Sequence, residues 1–171
     1  IFFLVAVFLS SAYCSGEWLI LAINSYKDGF YSAALKYSEE YLKGENSDIP
    51  YGKYIMGLSL YRLKRYKRAE LAFKEIIFDH PGFSKLNSVY LYLGITLFQN
   101  GNTKEAFKNL QKLKNTPKEP SAYYYEGIFH KRLGKNGKAL KSFSKLIEKH
   151  ITSPLWDNGV LETAYIHHSM K

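Results

Sequence analysis

The sequence holds one cysteine, Cys14, among its 171 residues. No intrachain disulfide can form, and zinc sites built on paired cysteines are excluded. Strand signals are missing: no β-branched run alternates polar and apolar residues over several positions. The apolar run Ile1–Leu9 spans nine residues, short of the roughly 20 that a membrane-spanning helix needs. Acidic residues are outnumbered, 15 Asp and Glu against 24 Lys and Arg, for a formal net charge of +9. Signatures of catalysis are lacking too. There is no Gly-rich phosphate loop, nucleophile elbow or paired-carboxylate pattern. His80, His130, His150, His167 and His168 stand in none of the spacings that make a metal-binding His-Glu-x-x-His helix. The expectation is a protein with no catalytic residues, no cofactor and no metal.

What is present bounds the class. The length suffices for one domain with a substantial core. Hydrophobic residues make up 46% of the chain, which rules out disorder by composition. Fifteen Tyr and eleven Phe supply large rings for gaps between helices and for binding surfaces. Residues 1–16 carry no charged side chain, so the whole basic excess sits on 17–171. Such a surface favours acidic partners, an anionic membrane surface among them.

The first sixteen residues have their own logic. After the apolar run come Ser10, Ser11, Ala12, Tyr13, Cys14, Ser15 and Gly16, uncharged and mostly small. That is the apolar and cleavage region of a secretory signal, here expected at 1–16 and lacking its basic start. Small residues at the required steps allow cleavage before Tyr13 or before Ser15. Cys14 also fits a lipidated first residue, although Tyr13 is a poor neighbour for that chemistry. The competing reading makes 1–16 a buried first helix. Export to the periplasm or cell envelope, with association to an outer membrane as an option, is the expectation. Nucleic acid then drops out as a partner.

The rest of the chain repeats. Gly57 with Ala69 and Phe73 is echoed by Gly94 with Ala106 and Leu110, then by Gly127 with Ala139 and Phe143. Each Gly-to-Ala step is 12 residues, and Ala34, Ala69, Ala106 and Ala139 are 35, 37 and 33 apart. A period near 34 with small residues in register means stacked helical hairpins. Apolar residues such as Phe73, Ile76 and Ile77 recur at helical spacing. Breakers fall at Lys43–Asn46, His80-Pro81-Gly82, Asn115-Thr116-Pro117 and Ser153-Pro154. A tighter turn divides each unit, at Gly29, Leu63-Lys64-Arg65, Gly101 and Gly134. These glycines suit the left-handed helix ending. Asn102 with Glu105 reads as a capping pair, and Ser153-Pro154 as a cap with Pro at the first helical position.

Gly57, Gly94 and Gly127 fall mid-helix, where Gly costs roughly 0.5–1 kcal/mol against Ala. Such a cost is tolerated best where another backbone comes close. Ala34, Ala69, Ala106 and Ala139 then mark where the second helix is crossed by the first.

This pattern resembles the tetratricopeptide repeat family. The second unit carries Met56, Gly57, Leu60, Tyr66, Ala69, Phe73, Ile76 and Pro81 at the motif positions. Tyr90, Leu93, Gly94, Leu97, Gly101, Ala106 and Leu110 match in the third, and Tyr123, Gly127, Gly134, Ala139, Phe143 and Leu146 in the fourth. The first is degenerate, with Ser38 in place of the aromatic. The resemblance implies an all-α, right-handed solenoid of helix-turn-helix repeats over 17–171. The units are expected near 17–46, 50–82, 87–117 and 120–152, with a closing helix over 154–168.

The resemblance also implies a binding face, the concave surface lined by the first helix of each unit. Its positions fall on Tyr26, Lys27, Tyr51, Tyr54, Leu58, Tyr61, Arg62, Arg65, Leu91, Ile95, Phe98, Gln99, Tyr124, Ile128, Lys131, Arg132 and Lys135. Aromatics there give contact area, and Arg pairs with carboxylates. A protein or peptide with acidic and apolar character fits. The family's carboxylate clamp is not reproduced, because Leu58 and Ile95 stand where Asn is needed. The function implied is a non-catalytic interaction scaffold of a bacterial cell envelope. Two alternatives stay open. One is a peripheral membrane or cell-wall module using basic patches such as Arg62–Arg68. The other is the repeat domain of a larger enzyme.

Export makes a checkable prediction. N-terminal sequencing of the mature protein is expected to begin at Tyr13, Cys14 or Ser15, and a retained Ile1 would contradict the reading.

Overall fold

The computed structural model describes residues 16–44 and 47–170. The apolar run 1–9, the cleavage region and Cys14 lie outside the described residues. Among those described there are nine helices and no strand. They are α1 (16–27), α2 (Tyr31–Lys43), α3 (Ile49–Arg62), α4 (Tyr66–Asp79), α5 (Leu86–Gln99), α6 (Thr103–Gln111), α7 (Glu119–Arg132), α8 (Asn136–Lys149) and α9 (Trp156–Ser169). Packing runs from each helix to the next, with α3–α5 and α5–α7 adding contacts between alternate helices. The result is an all-α helical-repeat solenoid. No described helix is long and apolar enough to cross a membrane.

The two helices of a unit differ in composition for a physical reason. The first helices α3 and α5 are apolar on most sides and bury seven residues each. A helix of that kind needs cover all round. The second helices α4 and α8 bury one stripe each: Ala69, Ala72, Phe73 and Ile76 in α4, then Ala139, Ser142, Phe143 and Leu146 in α8. The second helices therefore form the outer layer. Buried hydroxyls on the inner helices are satisfied locally, Ser59 donating to the Ile55 carbonyl at 2.8 Å and Thr96 to that of Tyr92 at 2.6 Å.

The repeating glycines sit where the sequence put them. A Cβ on Gly57 would lie 2.7 Å from Cε1 of Phe73, whose ring is fully buried. One on Gly94 would meet the Ala106 carbonyl oxygen at 3.2 Å, and one on Gly127 would collide with the Phe143 ring. The glycine in each of α3, α5 and α7 is the socket for the large side chain of its partner helix.

The tight turns share one conformation. Gly29, Gly101 and Gly134 have φ of +85°, +84° and +70°, and Lys64 takes the same turn at +59°. Only Lys64 bears a Cβ there, which costs roughly 1–2 kcal/mol.

Two local expectations fail. Asn102 precedes α6 but makes no side-chain cap bond. Its ψ of 58° lies away from the extended backbone that lets a cap side chain reach the first turn. Pro154 is not the first residue of a helix, because α9 begins at Trp156. Ser153 instead closes a turn, its carbonyl accepting from the Trp156 amide at 2.9 Å. Asp48 does cap α3, its carboxylate accepting from the Tyr51 amide at 3.2 Å with Pro50 in the first turn.

Helix α9 covers the end of the fourth unit with fewer residues than expected. Gly159 lies against Leu146, Ile166 is 1% exposed, and the Trp156 indole donates to the Ile147 carbonyl at 3.1 Å. Leu161 and Tyr165 remain more than half exposed, because they face away from α8.

The socket and the turn can be tested together by urea unfolding. Gly57→Ala is expected to lose about 1–3 kcal/mol by overpacking, and Lys64→Gly to gain about 1 kcal/mol. A neutral Gly57→Ala would show that the socket carries no packing role.

Candidate functional site

The candidate face is built by the inner helices, which the sockets hold at a fixed spacing. Its middle is a cluster of tyrosines. The Tyr92 ring of α5 lies 6.1 Å from Tyr61, 6.5 Å from Tyr54 and 6.3 Å from Phe73. Tyr61 also meets Tyr66 at 5.8 Å. The Tyr92 phenol acts electrostatically on Tyr26, Tyr54, Tyr61 and Tyr125, so three other inner helices bring phenols near it.

Burial raises the pKa of Tyr26, Tyr54, Tyr61, Tyr92, Tyr124 and Tyr125, with Tyr125 pushed to about 12. Neighbouring phenols add to the effect at most of these positions. Arg62 opposes it at Tyr26, Tyr61 and Tyr92, and Arg132 opposes it at Tyr61. At neutral pH the cluster is therefore a set of neutral hydroxyls, able to donate as well as accept, beside two guanidinium groups.

The residues expected on this face divide into three sets. Arg62, Arg65, Arg132, Lys135 and Lys27 are exposed at helix ends and form a basic rim. Arg62 is held in place, its guanidinium 4.3 Å above the Tyr31 ring. Tyr26, Tyr51, Tyr61, Phe98, Gln99, Tyr124, Ile128 and Lys131 are half-buried. Among these, Phe98 stacks flat on Phe129 at 3.9 Å, and Lys131 is ion-paired with Glu162 at 2.6 Å. The third set is Tyr54, Leu58, Leu91 and Ile95, only 3–8% exposed. These four pack between neighbouring hairpins and support the face from below. Tyr54, for one, is closed over by Phe83 of the α4–α5 loop and Tyr92 of α5.

Two members of the cluster, Tyr92 and Tyr125, were not among the expected positions. Each stands two residues before the repeating glycine, Gly94 or Gly127. An aromatic at the same step in successive units was the available signal. The basic stretch Arg62–Arg68 is not one patch. Arg62 turns to the tyrosines, whereas Arg68 pairs with Glu39 at 2.8 Å.

The raised phenol pKa values fix how stability depends on pH. In the unfolded chain these phenols ionise near their ordinary pKa of 10.0, and in the fold only above it. The fold's advantage is complete below pH 10 and is lost as pH climbs towards 12. An ultraviolet difference titration is expected to show part of the 15 tyrosines ionising together with unfolding. Full titration of every tyrosine in a folded protein would refute the buried cluster.

Comparison with known proteins agrees with this architecture. Residues 88–118 match the model of the tetratricopeptide repeat family. No curated protein matches the chain in sequence. Among solved structures, a tetratricopeptide repeat protein from Parabacteroides merdae is similar at TM-score 0.68 and 15% identity, covering 91% of this chain. This chain spans 60% of that protein's length. The structure of MamA is similar at TM-score 0.67 and 16% identity, over 88% of this chain and 84% of MamA. A double mutant of MamA RS-1 has TM-score 0.67 and 16% identity, over 92% and 96% of the two chains. Identities this low speak for the fold alone. Residues 88–118 thus match one tetratricopeptide repeat in sequence, and the rest of the chain shares the helical-repeat fold of such proteins.

Proposed function

We propose that the concave face around Tyr92 binds a partner protein or peptide carrying acidic and apolar side chains. The observation that supports this is the junction of neutral phenols from several helices with an exposed rim of Arg62, Arg65, Arg132 and Lys135. Phenols offer rigid, low-entropy contact area with a polar tip. Guanidinium groups at the rim pair with carboxylates in a fork geometry. An extended or helical segment with apolar anchors and acidic flanks meets both demands. The wider reading is an exported scaffold of a bacterial cell envelope, and its support is the apolar run and small residues of 1–16.

The test uses exposed rim residues outside the buried core. Cross-linking in cells with the wild type and with Arg62→Glu/Arg132→Glu is expected to show the principal captured partner lost from the variant. An unchanged set of partners would remove the concave face as the binding surface.

A further inference from the structure

The solenoid provides its own internal control, because three interfaces between units use corresponding positions. At the first two, three register positions of the cleft between successive outer helices are apolar, and an ion pair bridges it. Leu42, Met56 and Leu60 hold these positions in the first, where Arg68 pairs with Glu39 at 2.8 Å. Ile77, Leu93 and Leu97 hold them in the second, where Lys74 reaches Glu105 at 3.4 Å beside a smaller pocket of about 300 Å³. The third cleft, between α6, α7 and α8, has Lys114, Glu126 and His130 at the apolar positions. Gln111 and Lys138 stand at the ion-pair positions and cannot pair. Packing does not demand polar residues at these three positions, since the first two interfaces carry apolar side chains there.

The third cleft encloses about 440 Å³, and its lining includes Lys114, Glu126, His130, Lys138, Lys141 and Lys145. That volume is the size of a small-molecule site. None of the four lysines is ion-paired among the described residues, whereas Lys43, Lys53, Lys74 and Lys131 all are. The Nδ1 atom of His130 is buried and has no hydrogen-bond partner. Its ring stacks on Phe107 at 4.6 Å, which fixes the imidazole. The lysines act together on the groups between them. After burial, Lys138 and Lys135 are what lower the His130 pKa, and Lys114 and Lys145 oppose the burial that raises Glu126. Four lysines facing a single carboxylate, Glu126, and an unused polar atom thus share one small pocket. Glu126 and His130 also point away from the concave face, because two residues from Tyr124 or Ile128 is a rotation of about 200°.

We propose that the cleft between α6, α7 and α8 is an anion site for a phosphate-bearing ligand, held by Lys114, Lys138, Lys141 and Lys145 with His130 at its base. Lysine ammonium groups are compact charges suited to a phosphate cluster. The enclosed volume favours a compact, multiply charged group over the broad surface of an acidic protein. Glu126 opposes the anion and limits its affinity. The ligand is either a free phosphorylated molecule or a phosphate headgroup of a lipid.

Calorimetric titration of the whole chain with inorganic triphosphate tests the site. Lys138→Gln/Lys141→Gln is expected to weaken binding at least about tenfold, as loss of charge-assisted contacts does. Lys36→Gln/Lys104→Gln removes the same charge elsewhere and is expected to leave binding unchanged. Glu126→Gln is expected to tighten it, and the His130 ring resonances are expected to shift on titration. Flotation with phosphatidylcholine vesicles, with and without phosphatidic acid, separates the sources. Capture that requires phosphatidic acid and is lost in Lys138→Gln/Lys141→Gln assigns a headgroup, and triphosphate binding alone assigns a free ligand. Equal loss in both double variants, a silent His130, or no binding in either assay would overturn the proposal. None of these outcomes bears on the concave face, which uses other residues.

Discussion

The structure depends on a glycine in each of the inner helices α3, α5 and α7 receiving a large side chain from the outer helix that follows. Phe73, Leu110 and Phe143 fill those sockets and are fully buried. The contact is short-range and unforgiving, so it sets the distance and angle between the two helices of a hairpin. Everything on the inner surface inherits that spacing. The tyrosines of α1, α3 and α7 converge on Tyr92 of α5 because the helices that bear them are held in register by residues on their far sides.

Such a division of labour separates stability from recognition within single helices. In α3, Gly57 faces Phe73 while Arg62 lies over Tyr31 at the helix end. In α7, Gly127 faces Phe143, Tyr125 joins the tyrosine cluster, and His130 lies in the basic cleft. One helix therefore serves three surfaces, because successive residues are turned by about 100°. A repeat protein can alter one surface with little penalty on the others, provided the socket stays small.

Much of this architecture was legible in the sequence, and the physical reason is locality. The left-handed turns at Gly29, Gly101 and Gly134 follow from sterics within a few residues, as do the sockets once the period is seen. Features that depend on the neighbouring repeat were harder to read. Leu58, Leu91 and Ile95 occupy positions that point inward, yet the next hairpin buries them. Tyr92 and Tyr125 lie one step off those positions and join the cluster by reaching across units. Asn102 had the right side chain for a cap but the wrong backbone angle, which no single residue announces.

The bridges between units carry a further consequence through their direction. Between the first two units the acidic partner, Glu39, belongs to the earlier unit and the basic one, Arg68, to the later. Between the second and third the order is reversed, Lys74 coming first and Glu105 second. If the third unit were stacked directly on the first, Glu39 would face Glu105. A second unit stacked on another copy of itself would set Lys74 against Arg68. Like charges so placed repel, and only the native succession brings opposite charges together at both interfaces. The chain thus holds a charge code for the order of its units, which disfavours skipped pairings during folding.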